Sequence, residues 1–268
     1  MRLLDKTVLV TGSTTGIGRA IAIRCAAEGA RLVVHGLERG EGEAAVAEIG
    51  PERAVLHLED LVADGCPERL VALALSRFGR LDAAVNNAAL VASGDLHSTD
   101  EAFFRRMLEV NTLAPFRLIR AALPELRKAR GCVLNIGSVN AYCGEPDLLP
   151  YSVSKGALTT LTRNLGDTLM REDGVRVNQI NPGWVLTENE ARRKREQGLP
   201  EDWDTALPEV FAPSGRLLRP EEIAAAAVYW LSDESGPVSG QVVDLEQYPF
   251  VGRNPPKDRE TVTGGPGA

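Results

Sequence analysis

The stretch from Thr7 to Gly18 constrains this chain most. Thr7-Val8-Leu9-Val10 is short and apolar, as a buried parallel strand would be. It runs at once into Thr11-Gly12-Ser13-Thr14-Thr15-Gly16-Ile17-Gly18 and then an alanine-rich helical run to Glu28. Strand, glycine turn and helix in this order form the first unit of a doubly wound α/β sheet. Glycines permit the tight turn and let the backbone approach a phosphate closely, while the free N–H groups and positive end of the helix attract its charge. The stretch therefore reads as a pyrophosphate-binding turn. The bland alternative is an ordinary βα connection.

The chain continues in the same alternation. Strands are expected at Ala30–His35, Ala54–Leu58, Ala83–Val85, Cys132–Ile136 and Val175–Ile180, with a last one near Ser239–Asp244. Helical patterns fill Pro67–Phe78, Asp100 to about Ala129 with a break near Leu113-Ala114-Pro115, the run after Tyr151, and a helix opened by Pro220 with acids in its first turn. A length of 268 residues suits one large α/β domain, expected over residues 1–246, followed by a Pro/Gly-rich tail over 247–268. Thirty basic against thirty-seven acidic residues leave a charge of −7, which argues against nucleic acid or an acidic membrane as partner. With no long apolar run and no signal-peptide core, the expected location is cytoplasmic. Four scattered cysteines and three histidines lack metal-ligand spacing, so no metal site is expected.

Pro150-Tyr151-Ser152-Val153-Ser154-Lys155 opens the run after the fifth strand. Four-residue spacing places Tyr151 and Lys155 on one helix face, one turn apart. A phenol titrates near pH 10 in water, so a tyrosine exchanging protons near neutrality needs a positive charge beside it, which Lys155 could supply. Such pairs are also common on solvated helix faces. Ser138 stands at the carboxyl end of the fifth strand, where parallel sheets place their chemistry, thirteen residues before Tyr151. Its hydroxyl could polarise a carbonyl oxygen. Asn111, inside a helical pattern, could distort the helix by bonding a backbone group.

These motifs, in this order, make the chain resemble the short-chain dehydrogenase/reductase family over about residues 5–245. The T-G-x-x-x-G-[IL]-G signature is complete. Asn86-Asn87-Ala88-Ala89 is similar to N-N-A-G, Tyr151 and Lys155 to Y-x-x-x-K, and Pro182-Gly183-Trp184-Val185-Leu186-Thr187 to P-G-x-x-x-T. The resemblance implies a Rossmann-like fold with a mainly parallel sheet of about seven strands. It also implies reversible hydride transfer between a nicotinamide and a secondary alcohol or ketone. Tyr151 would then be the general acid/base, Lys155 its pKa-lowering partner, Ser138 the holder of the substrate oxygen and Asn111 the keeper of a proton relay.

On the cofactor side the resemblance implies contacts from Gly12, Ser13, Thr15, Gly16, Ile17 and Gly18 in the turn. Leu37 and Arg39 would lie at the adenosine ribose, Asp60 and Leu61 at adenine, and Asn87 and Ala88 along the cleft. Tyr151 and Lys155 would meet the nicotinamide ribose, with Pro182, Gly183, Val185 and Thr187 at the carboxamide. NAD-dependent members usually carry an acid where Gly36 stands, and NADP-dependent members often carry Arg where Leu37 stands or a basic residue in the turn. Here Glu38 would repel a 2′-phosphate and Arg39 would attract one. With no charge at Ser13, Thr14 or Thr15, the reading leans to NAD over NADP.

Residues 188–212 occupy the family's substrate lid, and their run Arg192-Arg193-Lys194-Arg195 is either a solvated helix face or a grip for an anion. The polar lid suits a small-molecule sugar, polyol or hydroxy acid. The alternatives are a 3-oxoacyl-thioester (acyl carrier protein) reductase and a non-enzymatic dinucleotide sensor. Family members are usually homotetramers or homodimers. Two departures stand out: Ala89 replaces a glycine, and Asp244-Leu245-Glu246 replaces Asp-Gly-Gly. Tyr248-Pro249-Phe250 is expected to dock near the cleft of its own or a neighbouring subunit.

Overall fold

The computed structural model describes residues 1–142 and 144–249. In chain order the elements are β1 Thr7–Val10, α1 Gly16–Ala27, β2 Arg31–Gly36, α2 Arg39–Ile49, β3 Ala54–Leu58, α3 Cys66–Phe78 and β4 Ala83–Asn86. Then come α4 Glu101–Leu108, α5 Ala114–Ala129, β5 Cys132–Ile136, α6 Leu149–Asp173, β6 Arg176–Pro182, α7 Glu188–Glu196, α8 Pro220–Leu231 and β7 Val242–Leu245. The seven strands form one sheet in the order β3-β2-β1-β4-β5-β6-β7, and every pairing is parallel. The fold is thus the single α/β, Rossmann-like, doubly wound sheet that the motifs imply.

Strand order reverses between β1 and β4, and such a switch point opens a crevice at the carboxyl ends of the strands. Period-two alternation decides which face each side chain serves. Val8 and Val10 join α1 and α8 residues such as Ile21 and Val228 in one core, while Leu9 joins Leu70, Leu118 and Leu126 of α3 and α5 in the other. Both faces are therefore covered, as a parallel sheet requires.

The helix expected from Asp100 to Ala129 is split by a π-helical turn at Glu109–Leu113. Its cause is Asn111, whose amide leaves the helix to pair with Leu90, accepting from its N–H at 2.7 Å and donating to its C=O at 2.9 Å. A single π-turn of this kind is a frequent mark of functional sites. Helix α2 carries a weak apolar pattern, with Gly42, Ala45 and Ile49 as its buried residues, and it does not stand out in the sequence. No helix among the described residues is long and apolar enough to cross a membrane. Phe250 and the tail beyond it lie outside the described residues, so the expected docking of Phe250 does too.

Candidate active site

A cavity of about 450 Å³ runs along the carboxyl ends of the strands, from the glycine turn to Tyr151. At one end Gly12, Thr15, Gly16 and Ile17 line it. Gly12 has φ +61°, and a Cβ there would lie 2.8 Å from the Ala88 backbone. Gly18 does not line the cavity; it lets α1 pack under the turn, since its Cβ would meet the Gly12 carbonyl oxygen at 2.2 Å. Thr15, the N-cap of α1, makes no side-chain cap, and no acid stands in the first turn. The helix start thus keeps backbone donors and a positive dipole end for an anionic ligand. Ser13 is turned inward, donating to the Val10 carbonyl at 2.7 Å.

Asn87 fastens this turn by donating to the carbonyls of Thr11 and Gly12, both at 2.9 Å. His35 fastens it from the other side. Its Nδ1 accepts the Gly12 N–H at 3.3 Å while its Nε2 lies 3.0 Å from the Glu59 carbonyl, an arrangement that needs a neutral ring carrying its proton on Nε2. Burial pushes the His35 pKa down to about 4. Between pH 6.5 and 4 the unfolded chain therefore binds more protons than the folded one, and stability falls as pH drops through that window, by about 3 kcal/mol at 1.4 per unit. Urea denaturation at pH 7 and pH 4.5 is expected to show this loss in the wild type and a smaller one in His35→Gln. His35 has little to reveal it in the sequence beyond ending β2 beside the turn.

Farther along, Leu37, Glu38, Asp60 and Leu61 line the cavity, and Arg39 does not. The Glu38 carboxylate accepts from Thr14 Oγ1 at 2.6 Å and from the Leu37 N–H at 3.3 Å, while Arg39 turns away to Glu43 at 3.4 Å. The Thr14 hydrogen bond holds the Glu38 carboxyl below its usual range. Asp60 is paired with Arg106 at 2.7 Å. Behind this end, His57, Glu59 and Cys66 bring potential metal-ligand atoms within 4.8 Å of one another, a grouping invisible in their spacing. Both Glu59 oxygens there are taken by Arg69, at 3.0 and 2.6 Å.

At the other end the chain brings Ser138, Tyr151 and Lys155 together on the cavity wall. A buried line of amides and hydroxyls lies beneath them: Asn86, Asn135, Thr162, Gln179 and Asn181 are linked at 2.6 to 2.8 Å. Asn181 Oδ1 then accepts the Ser138 N–H at 3.1 Å, which holds the serine in place. Ser138 Oγ accepts the Asn140 N–H at 3.2 Å, so its own proton is free to donate into the cavity or to Tyr151. Lys155 Nζ donates to the Ile136 carbonyl at 2.7 Å and sits 5.7 Å from the Tyr151 ring centre. Asn111 lies below the cavity, and its Nδ2 donates to Ser154 Oγ at 3.0 Å.

The electrostatics depart from the sequence expectation. Burial pushes Tyr151 up to about 12, with Ser138 and then Arg193 opposing the rise, and burial pushes Lys155 down to about 7. The lysine faces a carbonyl and the tyrosine ring, and desolvation outweighs its help to the phenolate.

Pro182, Gly183, Val185 and Thr187 close the cavity from β6. Thr187 also caps α7 by accepting the Glu190 N–H at 3.0 Å, and Asn189 reaches the glycine turn, donating to Thr15 Oγ1 at 3.2 Å. In the basic run of α7, Arg192 and Arg195 are exposed, as on a solvated face, and the other two are not. Arg193 is paired with Glu190 at 2.9 Å, and Lys194 is 2% exposed with its Nζ 5.4 Å from the Trp184 ring centre. The residues after α7 form a small core in which Trp184 stacks on Trp203 at 5.4 Å and meets Phe211 edge-on at 6.0 Å.

Comparisons with known proteins point to one family. The family described as Enoyl-(Acyl carrier protein) reductase matches residues 12–246. L-fucose dehydrogenase of Mus musculus is 38% identical over 234 residues, which are 87% of this chain and 84% of that one. Glucose 1-dehydrogenase 2 of Bacillus subtilis is 33% identical, over 91% and 94% of the two chains. Among solved structures, a short-chain dehydrogenase/reductase of Brucella melitensis titled glucose/ribitol dehydrogenase superposes with a TM-score of 0.80 at 30% identity, over 91% of this chain and 96% of that one. The family match over residues 12–246, a Rossmann-like sheet and relatives covered over most of their length make this chain an oxidoreductase of the short-chain dehydrogenase/reductase family, whose members use NAD or NADP.

Proposed function

We propose that the protein is an NAD-dependent dehydrogenase that interconverts a secondary alcohol and its ketone on a small polar substrate: a sugar, a polyol or a hydroxy acid. The observation that carries this reading is the continuity of one cavity. It joins a glycine turn suited to a pyrophosphate with Ser138 and Tyr151, beside which Asn140, Glu145, Glu190 and Arg193 add polar lining. The names of the mouse and Bacillus relatives, both sugar dehydrogenases, favour the same substrate class.

The residues divide the work as follows. A bound dinucleotide supplies or takes up the hydride at its nicotinamide ring. Tyr151 gives a proton to the substrate oxygen, or takes it, at the phenol oxygen, while the Ser138 hydroxyl holds that oxygen. Lys155 holds the nicotinamide ribose and, when charged, favours the phenolate. Asn111 keeps the proton path beneath Lys155 by setting the π-turn. Gly12, Thr15, Gly16 and Ile17 hold the pyrophosphate; Asp60 and Leu61 meet adenine; Pro182, Gly183, Val185 and Thr187 meet the carboxamide. Segment 188–212 serves as the substrate lid.

The preference for NAD rests on Glu38. The acid usual at the position of Gly36 has no room here, because a Cβ would lie 2.3 Å from Thr14 Oγ1. Glu38 takes its place from two residues on, its carboxylate fixed by the same threonine, where a 2′-hydroxyl can donate to it and a 2′-phosphate is repelled. Glu38→Ser is expected to shift the ratio of kcat/KM for NAD over NADP towards NADP by about tenfold or more, which equals about 1.4 kcal/mol. An unchanged ratio would remove Glu38 from this role.

The thioester alternative asks for an open basic docking surface. Its candidates are Arg105, Arg106 and the 192–195 run: Arg105, Arg106, Arg193 and Arg195 each meet a carboxylate, Arg192 donates to Asn189 and Lys194 is buried, which weighs against it. We also infer assembly into a homotetramer or homodimer through α5, the π-turn before it and α6, where Leu113, Phe116 and Val153 are exposed apolar residues, and a cytoplasmic setting in keeping with buried free thiols at Cys25, Cys66 and Cys132. Absorbance of reduced nicotinamide, followed with a panel of aldoses, polyols, hydroxy acids and 3-oxoacyl thioesters, tests the reading. Turnover confined to the thioesters would replace it with the alternative, and dinucleotide binding without any turnover would replace it with a sensor.

A further inference from the structure

The residues where this chain departs from the family's Asp-Gly-Gly lie against both roots of the segment that follows β6. Strand β7 ends at Leu245, whose carbonyl accepts the Gly183 N–H at 2.8 Å. Glu246 follows, and its Oε2 accepts the Trp184 N–H at 3.0 Å while its Oε1 accepts the Gln247 N–H at 2.8 Å. The carboxylate lies so close over Gly183 that a Cβ there would be 1.8 Å from Oε2. Gln247 then turns to the far end of the same segment. Its Oε1 accepts from the Ser214 N–H at 3.1 Å and from Ser214 Oγ at 2.6 Å, and its Nε2 donates to the Arg216 carbonyl at 2.7 Å.

The chain entering the segment and the chain leaving it are therefore tied to two adjacent residues at the end of an edge strand. What they hold is the wall of the cavity. Trp184 is the centre of the small core with Trp203 and Phe211, and its Nε1 donates to Glu190 at 2.8 Å, beside Arg193 on the cavity lining. A carboxylate accepting backbone N–H groups forms charge-assisted bonds, stronger than neutral ones.

We propose that Glu246 and Gln247 are positioning residues, a clasp that holds segment 184–216 over the substrate half of the cavity. The proposal rests on the reading of that segment as a substrate lid. With the clasp intact the lid's polar groups meet the substrate in a fixed place; without it the lid samples open positions and substrate binding weakens, while the pyrophosphate and adenine end of the cavity, built on β1, α1 and β4, keeps its own contacts.

The test uses the full chain in two variants, Glu246→Ala/Gln247→Ala and Glu246→Gln, the second of which keeps an oxygen for the Trp184 N–H. The double variant is expected to raise KM for the best substrate of the panel about tenfold or more, with kcat changed by less than about threefold and the Kd for NAD, which also draws on Gly183, Val185 and Thr187, raised less than KM. It should also speed amide hydrogen exchange across residues 199–217 and leave β1 and α1 as protected as before. Glu246→Gln, which keeps one acceptor oxygen but loses the charge assistance, should fall between the wild type and the double variant in both readouts. Unchanged KM and exchange, exchange accelerated evenly over the whole sheet, or a Glu246→Gln variant as impaired as the double alanine would each overturn the clasp. If no substrate in the panel turns over, the proposed reaction fails, and the exchange pattern alone decides for or against the clasp.

Discussion

Tyr151→Phe is expected to lower kcat about a thousandfold while the Kd for NAD stays within about twofold. Removal of the phenol oxygen takes away the group proposed to exchange a proton with the substrate, and general acid/base catalysis of this kind is worth about a hundred- to ten-thousandfold. The ring remains, so the packing of Tyr151 against Met107 and Leu148 is kept. In the proposed function dinucleotide binding rests on the glycine turn and β6, so it should be retained. Steady-state rates on the best substrate, with NAD titrated by fluorescence, separate the two effects. A Phe variant that keeps more than about a tenth of the activity would assign the proton to another group.

Lys155→Met should both inactivate and stabilise the protein. Lys155 is 2% exposed, and burial has brought its pKa down from 10.5 to about 7. Between those values the unfolded chain carries the extra proton, so stability rises with pH from about 7 to 10.5. Below pH 7 the folded state bears the full cost of a buried cation, several kcal/mol at 1.4 per unit. Methionine fills a similar volume without a charge. Urea denaturation of the ligand-free protein at pH 6 should therefore give a Lys155→Met variant more stable than the wild type by about 2 kcal/mol or more, with the difference narrowing towards pH 10. The same variant should lose about a hundredfold or more in kcat/KM. A destabilised Met variant at pH 6 would mean that the bond to the Ile136 carbonyl outweighs the burial of the charge.

Much of this architecture is legible in the residues. The strand before Thr11 and the helix after Gly18 announce the first βα unit because buried strands and glycine turns leave local marks. Spacing singles out Ser138, Tyr151 and Lys155, and the structure brings the three to one cavity wall, while Asn111, singled out by its place in a helical pattern, lies in the π-turn. Helix α2 is missed because its buried face is made of Gly42, Ala45 and Ile49 and gives little amphipathic contrast.

The other omissions are tertiary. His35, the amide line through Asn135 and Gln179, and the clasp at Glu246 and Gln247 each depend on contacts between residues distant in sequence, and no local pattern announces such contacts. The direction of the Tyr151 and Lys155 shifts also escapes spacing. Proximity alone suggests mutual stabilisation of charges, whereas burial of both groups disfavours charge on either. Glu38 lies between: its charge is plain in the sequence, but only its bond to Thr14 shows that it, and not Arg39, faces the cavity.

Transfer of label from the best substrate tests the central claim most directly. With deuterium on the carbinol carbon of the substrate, NAD reduced by the protein is analysed by NMR at nicotinamide C4. The expected result is one deuterium at C4, placed on a single face of the ring, together with a slower rate than the unlabelled substrate gives when the chemical step limits turnover. Reduced dinucleotide carrying solvent hydrogen at C4, or label on both faces, would contradict direct hydride transfer in this cavity.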